Sequence, residues 1–181
     1  MIEIDVNSNR RVPKWTRPQQ AGRVLWTLFH PVFRFSPRPM WGFRRSILRM
    51  FGAQVGSGAH VYPTVKIAIP WNIRLGQDCA VGDCAILYSL GLISIGHRCT
   101  ISQGAHLCAG THDIADPARR LLKLPICVGN DAWVCADAFI GPGVNIGNGA
   151  IVGARAVVMR DVQASVIMVG NPAQQIRSVT E

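Results

Sequence analysis

The tetrapeptide Gly110-Thr111-His112-Asp113 is the part of this 181-residue chain where residue types most plainly suggest chemistry. Histidine titrates near neutrality, so a neutral His112 can take a proton from a hydroxyl as that oxygen attacks. Such a base needs its second ring nitrogen held, and either Asp113 or a main-chain carbonyl can hold it. A different chemistry is also open. With His106 six residues upstream, His112 could ligate a metal if a third ligand converged on the pair. His30, His60, His97 and His106 otherwise read as packing or surface residues: His30 lies in an apolar N-terminal segment, and the other three at outward-facing positions of a repeat.

That repeat must position His112. Val, Ile or Leu recurs at 55, 61 and 67, then 75, 81 and 87, then 95, 101 and 107, then 128, 134, 140, 146, 152 and 158. Gly often follows, and a small residue such as Ala59, Cys79, Ala105 or Ala156 comes four positions on. Six residues turn an α-helix by about 600°, which scatters the apolar side chains. Simple alternation would not ask for glycine at one phase. A coil of short parallel strands fits, each strand forming one side of a triangular prism, with glycine freeing the backbone at the corners. Three intervals exceed six residues: 67 to 75, 87 to 95 and 107 to 128. Counted in threes, all follow the third strand of a coil, so the insertions leave one corner. The longest is a loop over 108–127, with His112 at its base, and long loops on rigid scaffolds tend to carry function.

The remaining composition sets bounds. Net charge is +9, and residues 1–50 hold ten of the nineteen Lys and Arg against Glu3 and Asp5 alone. This bias favours an anionic neighbour, but no nucleic-acid-binding motif accompanies it. No uncharged apolar run is long enough to span a bilayer, and the N-terminus lacks the apolar core of a signal peptide. The six cysteines show no paired spacing and read as reduced thiols. Residues 1–54 are expected to form a basic, aromatic arm and cap, extended to about residue 19 and then helical over 20–35 and 39–54. The prism occupies 55–162, and the C-terminal tail over 163–181 contains a turn at Gly170-Asn171-Pro172. Arg23, Arg34, Arg44, Arg45 and Arg49 beside Trp26, Phe29, Trp41 and Phe43 are expected to give a surface with weak affinity for anionic lipid.

The repeat, together with PICVGNDAWVCADAFIGPGVNIGNGAIVGARAVVMRDV and GNPAQQIR, resembles the hexapeptide-repeat acyltransferases. RSILRMFGAQVG, PWNIRLG, ISQGAHLCAGTHD and DPARRLL extend the resemblance toward those of colanic-acid and related exopolysaccharide synthesis. The resemblance implies an all-β, left-handed parallel β-helix that transfers acetyl from acetyl-CoA, without a metal, to a saccharide hydroxyl. It makes His112 the general base and implies a homotrimer, cytoplasmic and at most peripheral at the inner membrane face. It carries Trp133, Ala136, Ala154, Arg160 and Arg177 onto the coenzyme A channel, and it suggests a backbone oxyanion donor near Cys135–Ala136. Two departures stand out. The galactoside branch places an acceptor-binding Asn where Gly82 stands, leaving Asp83 as the substitute for acceptor contact. Gln174 also stands where relatives often carry another Arg. Other readings are an acetyltransferase for serine or an amino-sugar nucleotide, a γ-type carbonic anhydrase using His106 and His112, and a non-catalytic β-helix scaffold.

Overall fold

In the computed structural model, which describes residues 4–179, the expected coil is present. Its first face holds the parallel strands Gln54–Val55, Ile73–Leu75, Ile93–Ile95, Ile126–Val128 and Asn145–Ile146. The second stacks His60–Val61, Ala80–Val81, Thr100–Ile101, Trp133–Val134, Ile151–Val152 and Val166–Val169. The third stacks Lys66–Ile67, Ile86–Tyr88, His106–Cys108, Phe139–Ile140 and Val157–Val158. Each strand pairs with the one a full coil away, as in Val81 with Ile101 and Leu87 with Leu107. The aliphatic member of every hexapeptide points inward and is buried, and the small residues Ala59, Cys79, Ala105 and Ala156 fill the angles between faces. Two or three residues per face cannot bury a core alone. Stacking coils supplies the continuous interior.

The glycines serve a different purpose from the one the spacing suggested. None of Gly56, Gly76, Gly96, Gly129 or Gly147 has positive φ. The left-handed residue of each corner lies two positions later, as at Gly58, Asp78, Arg98, Asp131 and Gly149, with φ between 54° and 69°. Gly76 is required because coils meet there: a Cβ would lie 2.5 Å from the carbonyl carbon of Gly96 and 2.6 Å from the nitrogen of His97. Close backbone approach selects glycine, and the next two residues make the turn.

All three insertions leave the corner between the third and first faces, as counted from the sequence. The first holds a 3₁₀ turn, Pro70–Asn72, and the last contains the hairpin Thr111–His112 with Leu121–Leu122. After Val166–Val169 the chain turns and returns as an antiparallel strand, Gln174–Ser178, so the tail is part of the second face.

The N-terminal segment is helical earlier than expected. Asp5 caps α1 (Val6–Arg11), its carboxylate accepting from the N–H groups of Asn7 and Ser8. Thr16 and Gln19 form a capping box for α2 (Arg17–Arg34), and α3 spans Trp41–Met50. The lipid-facing surface expected from sequence is partly interior. Trp26 is buried and donates to the Ile67 carbonyl at 2.9 Å, while Trp41 stacks on His60 with ring centres 4.6 Å apart. Arg44 is 0% exposed and donates to the carbonyls of Val61, Pro37 and Arg38 and to Ser36 Oγ. Arg45 and Arg49 donate to the carbonyls of Ala59 and Val55. These groups fasten the cap to the first coil. The apolar residues left outward on α2 are Val24, Leu25, Leu28, Phe29 and Val32, followed by Phe35.

Candidate active site

His112 sits on the first strand of the loop hairpin and is exposed in the single chain. Its Nδ1 lies 2.6 Å from the carbonyl oxygen of Arg119. A carbonyl only accepts, so this bond places the proton on Nδ1 and leaves the Nε2 lone pair facing outward, the tautomer a base requires. Asp113 does not hold the ring. Its carboxylate accepts from the Ala115 N–H at 3.0 Å, and its own N–H donates to the Arg120 carbonyl at 2.9 Å. Of the two ring-holding groups open from sequence, the carbonyl occupies the position and Asp113 shapes the turn.

Most other candidate residues lie along the second face and its edge with the third. At the top, Asp83 accepts from Thr64 Oγ1 at 2.7 Å and pairs with Arg38 at 3.2 Å, beside a cavity of about 390 Å³ that Tyr62, Ser102 and Gln103 also line. At Gly82 a Cβ would come within 2.9 Å of the Gln103 nitrogen, so a larger residue there would displace this wall. One coil below Ser102, Trp133 donates its indole N–H to Ser102 Oγ at 2.8 Å and keeps one side of its ring exposed. Trp133, Ile151, Ile167 and Arg177 form one cross-strand row, which places Arg177 about 14 Å below Trp133. Ala136 and Ala154 line the adjacent corner, keeping the wall low. The Cys135 N–H is taken up by the Val152 carbonyl at 2.8 Å, whereas the Ala136 N–H has no backbone acceptor among the described residues. Burial pushes the Cys135 thiol above its ordinary range, away from a thiolate nucleophile.

Arg160 is elsewhere. It leaves the third face at the corner that carries the His112 loop, two coils and about 10 Å lower, and shares a cavity of about 560 Å³ with Gln174 and Gln175. The candidates thus form two rails on one prism. His112 and Arg160 lie on one corner; Asp83, Trp133, Ala136, Ala154 and Arg177 lie across the third face from it. Among the described residues, no three His, Cys, Asp or Glu side chains converge as a metal site, and His106 is packed edge-on between Tyr88 and Phe139.

Sequence reasoning missed Arg38, Thr64 and Ser102. Ser102 carried a signal, because it occupies a phase where glycine is usual. Arg38 comes from the cap, where no periodicity reaches.

No family model matches the chain. It is 41% identical over 172 residues, 94% of each chain, to WcaF of Escherichia coli strain K12, which is named as a colanic acid biosynthesis acetyltransferase. A galactoside acetyltransferase solved with coenzyme A superposes with a TM-score of 0.85 at 23% identity, covering 96% of this chain and 88% of that one. A Vibrio cholerae hexapeptide-repeat acetyltransferase solved with acetyl coenzyme A gives 0.85 at 20% identity over 96% of both chains. With the prism, its corner insertions and the loop histidine in place, the 41% relative settles the affiliation: this chain belongs to the hexapeptide-repeat acetyltransferases, left-handed β-helix enzymes that take acetyl from acetyl-CoA.

Proposed function

We propose that the enzyme O-acetylates a saccharide hydroxyl, with His112 as general base in a site shared by two copies of the chain in a threefold ring. The observation that carries this reading is the Arg119 carbonyl on Nδ1, which leaves Nε2 unprotonated and outward. Saccharide is favoured because the relatives include a protein named for colanic acid biosynthesis and a galactoside O-acetyltransferase. The two rails explain the ring. A rotation that docks one copy's loop corner on the next copy's second face would set His112 opposite Trp133 and Ala136. Asp83 and its cavity would then lie above as the acceptor pocket, and Arg177 below for phosphate.

The residues present suit the donor. A pantetheine arm needs low walls, which Ala136 and Ala154 give, and phosphates need cations, which Arg177 and Arg160 of the neighbouring copy give. In the reaction, the acceptor oxygen attacks the thioester carbonyl while Nε2 takes its proton. The Ala136 N–H stabilises the oxyanion. As the tetrahedral intermediate collapses, the C–S bond breaks and the imidazolium returns the proton to the departing sulfur. The thioester is already activated, so no enzyme-bound acyl group is needed.

His112→Ala should lower kcat by about 10² to 10⁴-fold while acetyl-CoA binding stays nearly unchanged. Retention of more than a tenth of turnover overturns the base, and faster acetylation of serine or an amino-sugar nucleotide than of any saccharide overturns the acceptor. Mixing His112→Ala copies with Trp133→Ala copies should give more activity than the sum of the two alone, because some interfaces then carry both intact rails. No such excess overturns the shared site.

For location, we infer that α2 rests weakly on anionic lipid near a lipid-linked acceptor. No described helix is long and apolar enough to cross a membrane. Support comes from the outward Leu28 and Phe35, 69% and 81% exposed, and from the absence of any Asp or Glu between Asp5 and Asp78. Co-sedimentation with phosphatidylglycerol vesicles should fall as salt rises; no binding at low salt overturns it.

A further inference from the structure

The carbonyl that holds His112 has a second donor. Asn9, in the middle of α1 and only 7% exposed, donates Nδ2–H to the same Arg119 oxygen at 2.8 Å. The acceptor being a carbonyl, the amide orientation is fixed: the NH₂ group must face it. The oxygen's two lone pairs are therefore divided between the N-terminal arm and the loop histidine. Arg119 itself is left-handed, with φ 51°, a conformation that non-glycine residues hold only where surroundings impose it. The arm supplies that imposition at several points. The Asp5 N–H donates to the Pro117 carbonyl at 3.0 Å, and Lys123 Nζ donates to the Lys14 carbonyl at 2.8 Å while lying 3.6 Å over the Trp15 ring.

We propose that Asn9 is a positioning residue for catalysis, which fixes the Arg119 carbonyl and through it the Nδ1–H tautomer and direction of the His112 ring. This rests on the assignment of His112 as the base. The physical reasoning is short. A loop of this length returns to many backbone conformations unless tied. If the Arg119 peptide rotates, Nδ1 loses its acceptor, and the neutral ring is free to carry its proton on Nε2, where it cannot accept one. A buried amide whose side chain has no other partner among the described residues, aimed at the carbonyl that holds Nδ1, opposes that rotation directly. The arm would otherwise be only a cover for the prism.

The test uses the full chain. Asn9→Ala should lower kcat about tenfold and leave the KM for acetyl-CoA within about twofold, since the donor rail is untouched. Asn9→Asp keeps the shape but turns the donor into an acceptor facing a carbonyl, and should lower kcat at least as far. It also serves if the alanine variant folds poorly. Two readouts separate positioning from mere stability. Long-range ¹H–¹⁵N spectra of the His112 ring should show Nδ1–H dominant in the parent and the Nε2–H form rising in both variants. In a His112→Ala background, Asn9→Ala should change residual turnover by less than twofold. An unchanged tautomer, a kcat within twofold of the parent, or a full tenfold loss in the His112→Ala background would each overturn the proposal. If His112→Ala alone keeps more than a tenth of turnover, the base assignment fails instead, and the ring spectra still decide whether Asn9 holds the ring.

Discussion

Arg44 offers the sharpest stability test, because it is a charged side chain with no access to water and no carboxylate partner among the described residues. Its guanidinium donates to Val61 O at 2.6 Å, Ser36 Oγ at 2.9 Å, Pro37 O at 2.8 Å and Arg38 O at 2.6 Å, and lies 4.7 Å from the Trp41 ring centre. Those acceptors belong to the first coil, the turn after α2 and the segment before α3, so one side chain ties two parts of the cap to the prism. Removing it leaves the Val61 and Arg38 carbonyls without a donor, whereas Pro37 O keeps the Met40 N–H and the Ser36 hydroxyl keeps its bond to the Phe33 carbonyl. Each such orphan costs about 1–3 kcal/mol if it stays dry, but relief of the buried charge offsets several kcal/mol. The balance for Arg44→Met, which keeps the aliphatic volume, is a loss of about 1–3 kcal/mol. In a chain of this size each kcal/mol moves Tm by roughly 2–4 °C, so a drop of at least about 2 °C is expected.

Thermal unfolding should be followed by circular dichroism at one fixed protein concentration, because association in the proposed ring would make Tm depend on it. Arg44→Lys keeps a charge but not the planar fork, so it should recover less than half of the loss. The KM for acetyl-CoA should stay within twofold in both. A shift below 2 °C for Arg44→Met would show that water or a rearranged cap satisfies those acceptors, and the reasoning from buried hydrogen bonds would fail.

Three further outcomes follow from the same structure. Gly76→Ala forces a Cβ into the Gly96 backbone and should cost at least about 2 kcal/mol, whereas Gly42→Ala, whose nearest neighbour would be an Arg45 side-chain nitrogen at 3.7 Å, should gain up to about 1 kcal/mol in helix propensity; denaturant titration checks both. Arg177→Ala should raise the KM for acetyl-CoA at least about fivefold yet leave acetyl-pantetheine unaffected, and equal damage with both donors would remove the phosphate contact. Burial lowers the pKa of His106, so the folded state favours the neutral ring: the resulting stability is present above the unfolded value near 6.5 and is lost as pH falls toward the lower folded value. His106→Phe should flatten the loss of Tm as pH falls below about 6.5, and an unchanged slope would exclude His106 as its source.

What could be read from sequence tracks how far along the chain the physics reaches. A prism repeats its geometry every six residues, so Val81, Ile101 and Val134 report the second face without any structure in hand. The insertions, counted in threes, fix the corner of the loop. The same local signal misled on glycine, because spacing shows where Gly76 recurs but not that the constraint there is the next coil's backbone. The cap gave less. Amphipathic helices were visible, yet which side faces the prism was not, so Arg44 and Trp26 read as surface when their partners Val61 and Ile67 lie 17 and 41 residues away.

The hardest contact to foresee was the one between Asn9 and Arg119, 110 residues apart with no period linking them. A short polar helix near a terminus is unremarkable by composition, and an asparagine within it is ordinary. Its meaning depends on a carbonyl whose direction comes from a left-handed Arg119, and nothing in the residue type of arginine marks that conformation. Catalytic side chains can be picked out because few residue types perform acid–base chemistry at neutral pH. The groups that aim them need only a peptide oxygen and an amide, which every stretch of chain can supply. Candidates of the first kind are therefore legible from sequence, and the second kind becomes visible only when the fold shows that the same oxygen is claimed twice.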